Sequence, residues 1–319
     1  MKISVLGCGR WGSFIAWYLN KINHNVLLWG RKSSHNLLRI METGKNDVLF
    51  FDKNIKLSDD LEEAISFAEI IIISISCQSL DSFCKDLSSF DLTKKTIVLC
   101  MKGICENSTK RLTETVKLNL GKSIPVAVWV GPGHVEDFVK GIPNCMVIDC
   151  EDNKTKESLV ENFSSNLIRF YIGSDLVGNE IGAASKNVMG IAAGMLDGLG
   201  YPSLKGALMS RGTREISRLI KAMGGNEISA YGLCHLGDYQ ATLFSKHSHN
   251  RMFGEMFVTG KKYTKLAEGV ATTRALLKLG EKYNVDLPIT KAVNAIINDN
   301  KDPKEVLSNL FLRRVKKEF

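Results

Sequence analysis

Short apolar runs alternate with polar, helix-like stretches through the first half of the chain. The β-prone runs are Lys2–Leu6, Asn25–Trp29, Ile70–Ser74, Thr96–Cys100, Val126–Val130 and Cys145–Ile148, with stretches such as Asp59–Phe67 and Leu80–Leu87 between them. Strands that alternate with helices imply a mostly parallel sheet covered on both faces. A further strand at Leu167–Ile172 is placed to close it. From about Asp175 the period changes. Ile181, Ala184, Val188, Ile191 and Met195 recur at helical spacing, as do Leu204, Leu208, Arg211 and Glu215. Lys265–Tyr283, Thr290–Asn298 and Pro303–Phe311 read as further helices, with breaks at Gly198–Pro202 and Leu287-Pro288. The pattern predicts an α/β chain, with a doubly wound sheet domain over residues 1–178 and an all-α domain over 179–319. Ligands of open α/β sheets sit at the carboxyl ends of the strands. The expected cleft therefore lies between that edge and the helical domain.

The first run ends in a glycine motif. Ile3-Ser4-Val5-Leu6 leads into Gly7-Cys8-Gly9-Arg10-Trp11-Gly12, and Ser13–Leu19 reads as a helix. With the strand at Asn25–Trp29 this makes a βαβ unit carrying Gly-x-Gly-x-x-Gly, the dinucleotide fingerprint of a Rossmann-type domain. Gly7 permits the sharp exit from the strand, Gly9 lets backbone approach a pyrophosphate, and Gly12 lets the helix lie close to the sheet. The helix N-terminus then presents unpaired N–H groups to phosphate. NAD sites usually place Asp or Glu about 20 residues beyond the glycines, on the ribose 2′-hydroxyl. Here the second strand ends Leu28-Trp29-Gly30-Arg31-Lys32, without a carboxylate. Arg31, with Lys32, suits a 2′-phosphate instead. NADP is favoured over NAD, and a pair of ordinary surface cations is the plainer alternative.

Composition narrows the class. The 319 residues are 44% hydrophobic and 24% charged, which gives ample material for a buried core. The apolar run around Ile70–Ile73 is far short of the roughly 18–20 residues a membrane helix needs. The chain enters its first strand at Lys2-Ile3, which leaves no room for a signal peptide, so a cytoplasmic location is expected. Eight Cys are scattered without a Cys-x-x-Cys pair, which fits reduced, buried thiols. A net charge of +8 raises nucleic acid as a partner, but the basic residues are dispersed. The dense cluster Arg313-Arg314-Val315-Lys316-Lys317 reads as a frayed, solvated tail. A phosphorylated small substrate accounts for a positive cleft equally well.

Candidate chemistry gathers at strand ends and on one helix. Met101-Lys102-Gly103 follows a strand directly, where Lys102 is either a ligand contact or a solvent-facing turn lysine. Gly131-Pro132-Gly133-His134 follows another and suits close approach by a ligand, or is simply a turn. Gly182, Lys186, Gly190 and Ala193 share one helical face. On periodicity alone that face reads as a close helix–helix contact, with the lysine reaching out to water. Asp238 and Thr242, then Ser248-His249-Asn250-Arg251, supply a carboxylate, hydroxyls, an amide and a guanidinium; a helix cap and polar loop is the bland alternative. Cys234, His235, His247 and His249 match no zinc spacing, so no metal is expected.

Together these pieces resemble the soluble, bacterial-type NAD(P)-dependent glycerol-3-phosphate dehydrogenases along nearly the whole chain. The matching motifs are Gly7–Gly12, Lys102-Gly103, Gly131-Pro132, Lys186-Asn187 within Gly178–Gly198, and Ala207-Leu208-Met209-Ser210-Arg211-Gly212. Gly232-Leu233 with Leu236-Gly237-Asp238, Ser248 with Asn250-Arg251, and Glu268-Gly269 continue the series. The resemblance implies reversible hydride transfer between sn-glycerol 3-phosphate and dihydroxyacetone phosphate, supplying phospholipid synthesis, in a homodimer. It implies Lys186 as general acid/base, with Lys102 as the second cation that lowers its pKa and polarises the carbonyl. It places Gly131, Gly133, Asp238, Thr242, Ser248, His249, Asn250 and Arg251 at the substrate. Gly7, Gly9, Arg10, Trp11, Gly12, Arg31, Lys32, Lys102, Val135, His249, Leu266 and Glu268 fall at the cofactor.

The chain also departs from the family pattern. His249 stands where the family has Arg, with Arg251 as a candidate substitute. Gly133 replaces Ser or Thr, Arg10 replaces a small residue, Ile75-Ser76 replaces Val-Pro, and His235 interrupts Gly-Leu-Ala-Gly-Leu-Gly-Asp. Two alternatives stand beside the main reading: an NADP-dependent reductase of another small hydroxy or keto compound, and a non-catalytic dinucleotide sensor.

Overall fold

In the computed structural model of the protein, which describes residues 1–315, 317 and 318, the apolar runs of the first half form one eight-stranded sheet. Its strands are β1 (Lys2–Leu6), β2 (Asn25–Trp29), β3 (Lys56–Ser58), β4 (Ile70–Ile73), β5 (Thr96–Leu99), β6 (Val126–Val130), β7 (Asn144–Cys150) and β8 (Ile168–Ile172). They are ordered β3-β2-β1-β4-β5-β6-β7-β8. Neighbours run parallel except β6 and β7, which are antiparallel. Helices α1 (Arg10–Lys21), α2 (His35–Thr43), α3 (Leu61–Phe67), α4 (Leu80–Leu87), α5 (Leu112–Leu120), α6 (Val135–Val139) and α7 (Asn153–Phe163) link the strands. The period of two along each strand sorts the core onto two faces. Ile70 and Ile72 pack with Phe14, Ile15, Leu37 and Phe163 of α1, α2 and α7. Ile71 and Ile73 pack with Ala64, Leu80 and Leu112 of α3, α4 and α5. A strand covered on both sides has no polar positions, which is why β4 reads Ile-Ile-Ile-Ile.

The sheet is mostly parallel, as expected, and two of its features are unmarked in the sequence. The edge strand β3, Lys-Leu-Ser, is too short and polar to announce itself. The reversal at β7 leaves no mark in its hydrophobic pattern. Boundaries also move where caps decide them. Asp60 accepts from the Glu62 and Glu63 amides and starts α3 at Leu61 rather than Asp59.

The second half is helical: α8 (Leu176–Gly198), α9 (Lys205–Ala222), α10 (His249–Val258), α11 (Glu268–Lys282), α12 (Pro288–Ile297) and α13 (Pro303–Phe311). Helix α8 is buried almost all round, as a central helix must be when others pack on every side. Helix α10 lies directly on it. A Cβ added at Gly194 would fall 1.9 Å from the Arg251 carbonyl oxygen, and one at Gly254 would fall 2.1 Å from that of Ile191. Backbone touches backbone there, which seats the first turn of α10 near Lys186. At the basic tail, Arg313 reaches Asp286 at 2.5 Å rather than lying free in solvent, while Arg314 and Val315 are exposed. Lys316 lies outside the described residues. Among the described residues no helix is long and apolar enough to cross a membrane.

Candidate active site

The loops that follow β4, β5 and β6 meet the helical half, and the predicted residues form two groups along this edge of the sheet. The first is the glycine loop. Gly7 has φ +122°, and a Cβ there would fall 2.1 Å from the Ser74 carbonyl oxygen. At Gly12 a Cβ would fall 1.9 Å from the Gly7 carbonyl oxygen, so α1 rests on the strand exit. Among the described residues nothing lies within 4 Å of a Cβ built on Gly9, and no side chain caps α1. An open backbone below uncapped helix amides fits a dinucleotide pyrophosphate. Arg31 and Lys32 sit exposed in the turn after β2, and Arg31 forms no ion pair among the described residues. Ser34 Oγ, 3.0 Å from Cys8 Sγ, ties that turn to the glycine loop. Arg10 pairs with Glu136, and Trp11 packs on Phe14 and Phe138. Val135 is buried at the start of α6. Glu268 accepts from Ser76 Oγ at 2.8 Å and Cys77 Sγ at 2.9 Å, fixing the start of α11 against the loop after β4. Leu266, just before it, is exposed.

The second group is built on charge. Lys102, three residues beyond the end of β5, donates to the Gly131 carbonyl at 2.7 Å and to Asp238 Oδ2 at 2.6 Å. Lys186 Nζ lies 2.7 Å from the same Oδ2 and 2.8 Å from Thr242 Oγ1. Asp238 and Thr242 come from two short turns, Leu236–Asp238 and Gln240–Phe244. Lys186 therefore does not reach out to water; its side chain is 11% exposed and stands inside the cleft. Burial lowers its pKa from 10.5 to about 8; Asp238 opposes the fall and Lys102 adds to it. Asp238 is 1% exposed, and its Oδ1 is buried without a hydrogen-bond partner among the described residues. One oxygen holds two ammonium groups while the other is left to a donor from outside. His134 Nε2 is likewise buried and unpaired, and burial with Lys186 nearby keeps the imidazole pKa low.

At the start of α10, Ser248 spends its hydroxyl accepting from the Arg251 amide. His249 Nδ1 meets the Tyr263 hydroxyl at 2.5 Å, and burial, Lys265 and Arg10 all lower its pKa. Asn250 is clasped between Asn187 and the Gly269 amide. Arg251 corrects an expectation. Its guanidinium binds Asp197, Glu255 and the Ser245 carbonyl, and Asp197 lies about three turns beyond Lys186 on α8, roughly 16 Å along the axis. Arg251 braces α10 onto α8 and is not free to replace the arginine absent at 249. Gly133 packs beneath the Phe138 ring, which a Cβ would strike at 2.6 Å.

Sequence reasoning assigned no role to Asn187. Its Nδ2 donates to the Lys102 carbonyl and its Oδ1 accepts from Asn250 Nδ2, joining the β5 loop, α8 and α10. The available signal was an amide beside Lys186 on a helix of small and apolar residues; once buried, such a group must be bonded.

Residues 2–156 match the family model for the N-terminus of NAD-dependent glycerol-3-phosphate dehydrogenase, and residues 175–308 match that for its C-terminus. The chain belongs to this family. Glycerol-3-phosphate dehydrogenase (NAD(P)+) of Fusobacterium nucleatum is 35% identical over 331 aligned positions, covering 100% of this chain and 99% of that one. The protein of the same name from Clostridium botulinum strain Eklund 17B is 35% identical over 329, with the same coverage. The crystal structure of glycerol-3-phosphate dehydrogenase from Coxiella burnetii superposes with a TM-score of 0.92 at 26% identity, covering 98% of each chain. The residues the resemblance implies thus form two groups, the glycine loop and the Lys102–Asp238–Lys186 cluster.

Proposed function

We propose that this chain interconverts sn-glycerol 3-phosphate and dihydroxyacetone phosphate with NAD or NADP, supplying glycerol phosphate for phospholipid synthesis. The observation that carries the reading is the Lys102–Asp238–Lys186 cluster, with Lys186 brought to about 8. The bound dinucleotide supplies or accepts the hydride. Lys186 gives a proton to the C2 oxygen in reduction and takes it back in oxidation, which an amine titrating near working pH does in both directions. Lys102 adds positive charge where the carbonyl oxygen turns anionic. Asp238 keeps both ammonium groups aligned through Oδ2 and accepts a substrate hydroxyl at Oδ1, and Thr242 steers Lys186. Ser248 caps α10 through the Arg251 amide, leaving the amides of His249 and Asn250 for the substrate phosphate, while Gly131 and Gly133 keep the facing loop narrow. Arg10, Trp11, Val135, Leu266 and Glu268 border the cofactor, with Arg31 and Lys32 at its 2′-phosphate. On this reading residues 1–178 form a dinucleotide-binding domain and 179–319 a helical substrate-binding domain, with Lys102, Gly131 and Gly133 reaching the substrate from the first and Leu266 and Glu268 bordering the cofactor from the second.

Oxidation of NADPH and NADH with dihydroxyacetone phosphate tests the reading against a panel of phosphate-free ketones and keto acids. Rapid oxidation with the phosphate ester alone is the expected result. One observation favours a second reading, a reductase of a phosphate-free ketone. With Arg251 engaged elsewhere, the start of α10 offers an imidazole in place of a guanidinium. A His249→Arg variant decides between them. KM for dihydroxyacetone phosphate should fall by about threefold to tenfold if a charge-assisted phosphate contact is restored; a rise points to a pocket shaped for something else. A dinucleotide sensor has no use for the assembled lysines, and NADPH binding without reduction of any ketone would favour it.

Cofactor choice is tested separately. Arg31→Asp should lower the preference for NADPH over NADH by about tenfold to a hundredfold, the weight of one or two charge-assisted hydrogen bonds. An unchanged ratio removes Arg31 from the 2′-phosphate. The same reading makes the enzyme a cytoplasmic homodimer. All eight cysteines are free thiols, which suits a reducing compartment, and a sedimentation mass of twice the chain checks the dimer.

A further inference from the structure

Beside the Lys186–Asp238 pair, a buried imidazole fastens the turn that carries Asp238 to the helix that carries Lys186. His235 is fully buried; its Nδ1 lies 2.9 Å from the Gly182 carbonyl oxygen and its Nε2 2.7 Å from the Tyr239 hydroxyl. A carbonyl only accepts, so Nδ1 carries the proton. Burial lowers this imidazole to about 4, so the ring is neutral at working pH and Nε2 accepts from the Tyr239 O–H. In an α-helix the carbonyl of residue 182 also takes the amide of residue 186. His235 thus donates to the oxygen that closes the helical turn of Lys186 itself. On its other side, the Asp238 amide donates to the His235 carbonyl at 3.1 Å. Gly182 makes the approach possible, since a Cβ there would already lie 3.1 Å from the Cβ of His235.

We propose that His235 is a positioning residue for the hydride-transfer reaction: it bridges the Gly182–Lys186 turn of α8 to the Asp238 turn and so sets the Lys186–Asp238 separation. The inference rests on the reading of Lys186 as the proton-transferring group. His235 touches neither amine nor carboxylate. Its effect passes through two backbone groups, one on each partner's own turn.

The test is the pH dependence of kcat for dihydroxyacetone phosphate reduction in H235N, H235Q and H235L, beside K186A, with each rate normalised to NADPH-binding sites. Asparagine places an amide nitrogen where Nδ1 sits, and glutamine reaches toward the Nε2 position instead. H235N should keep kcat within about threefold, whereas H235Q and H235L should lose about tenfold or more, as displaced catalytic groups do. In H235Q and H235L the pH midpoint should also move by about half a unit or more, because the amine then feels Asp238 differently. If H235L does not fold, H235Q carries the comparison. A merely structural histidine would lower the melting temperature and leave the midpoint and kcat per site unchanged, and that result overturns the proposal. H235N behaving like H235L overturns the Gly182 contact as its basis. K186A inactive beside unaltered H235Q and H235L defeats the positioning role alone, while K186A retaining turnover defeats the assignment of Lys186 and this inference with it.

Discussion

Replacing Lys186 by alanine is expected to cut kcat by about 10³-fold, within the usual range for loss of a positioned acid or base, and to leave NADPH affinity within about twofold. The asymmetry follows from where the side chain ends. Its nitrogen bonds Asp238 and Thr242, whereas the proposed dinucleotide cradle rests on Gly7, Gly9, Gly12 and the start of α1. Equal losses in turnover and NADPH binding would remove Lys186 from the proton-transfer role. The wild-type pH profile carries the matching signature. Ketone reduction needs the ammonium form and should fall as pH rises through about 8; glycerol phosphate oxidation needs the free amine and should rise through the same region. Stability follows by linkage. The folded-state value lies below the unfolded one, so the unfolded chain binds more protons between about 8 and 10.5 and this group's contribution to stability rises with pH across that window. Below it the folded protein carries the full cost of a buried charge. If Lys186 is the proposed proton-transfer group, its buried amine is held at the expense of stability.

The parts of this site differ in how plainly the sequence announces them, for physical reasons. The glycine loop was legible because each glycine answers a local backbone demand: φ +122° at Gly7, and a carbonyl 1.9 Å from a Cβ at Gly12. The sheet was legible because strands covered on both faces lose every polar position, as Ile70–Ile73 does. Lys186 was not legible from periodicity. A lysine among glycines and alanines looks the same whether it reaches water or a carboxylate, and the choice depends on Asp238, 52 positions away in sequence but 2.7 Å away in space. Motif resemblance, not spacing, singled it out. Arg251 shows the converse: residue type suggested a phosphate contact, but helix phase turns the guanidinium toward Asp197 and Glu255. The β6–β7 reversal was hidden because a period of two carries no information about strand direction.

Asp238→Asn should separate the two things one carboxylate does. The neutral amide keeps the shape of the side chain but removes the charge that faces Lys102 and Lys186 on a residue 1% exposed. Two ammonium groups that now share a single oxygen would face each other without compensation. Removing one partner of such a buried arrangement costs about 3–5 kcal/mol when the remaining charges stay ionised. The protein has a cheaper outlet, because Lys186 already sits near 8 and Asp238 is the group that holds it up against burial and Lys102. Without that support the amine should deprotonate. The measured destabilisation at neutral pH should therefore be about 1–3 kcal/mol, smaller than the full figure, and should grow as pH is lowered and the lysine is forced to charge. Turnover should split in the same direction. Ketone reduction at pH 7 should fall by about 10²-fold or more as the ammonium form is lost, while the limb for glycerol phosphate oxidation should move to lower pH. Denaturant melts at pH 6 and 8 beside the two pH–rate profiles decide it. If both profiles keep the wild-type midpoint, Asp238 does not set the protonation of Lys186, and the pairing at 2.7 Å is a structural contact with no part in the chemistry.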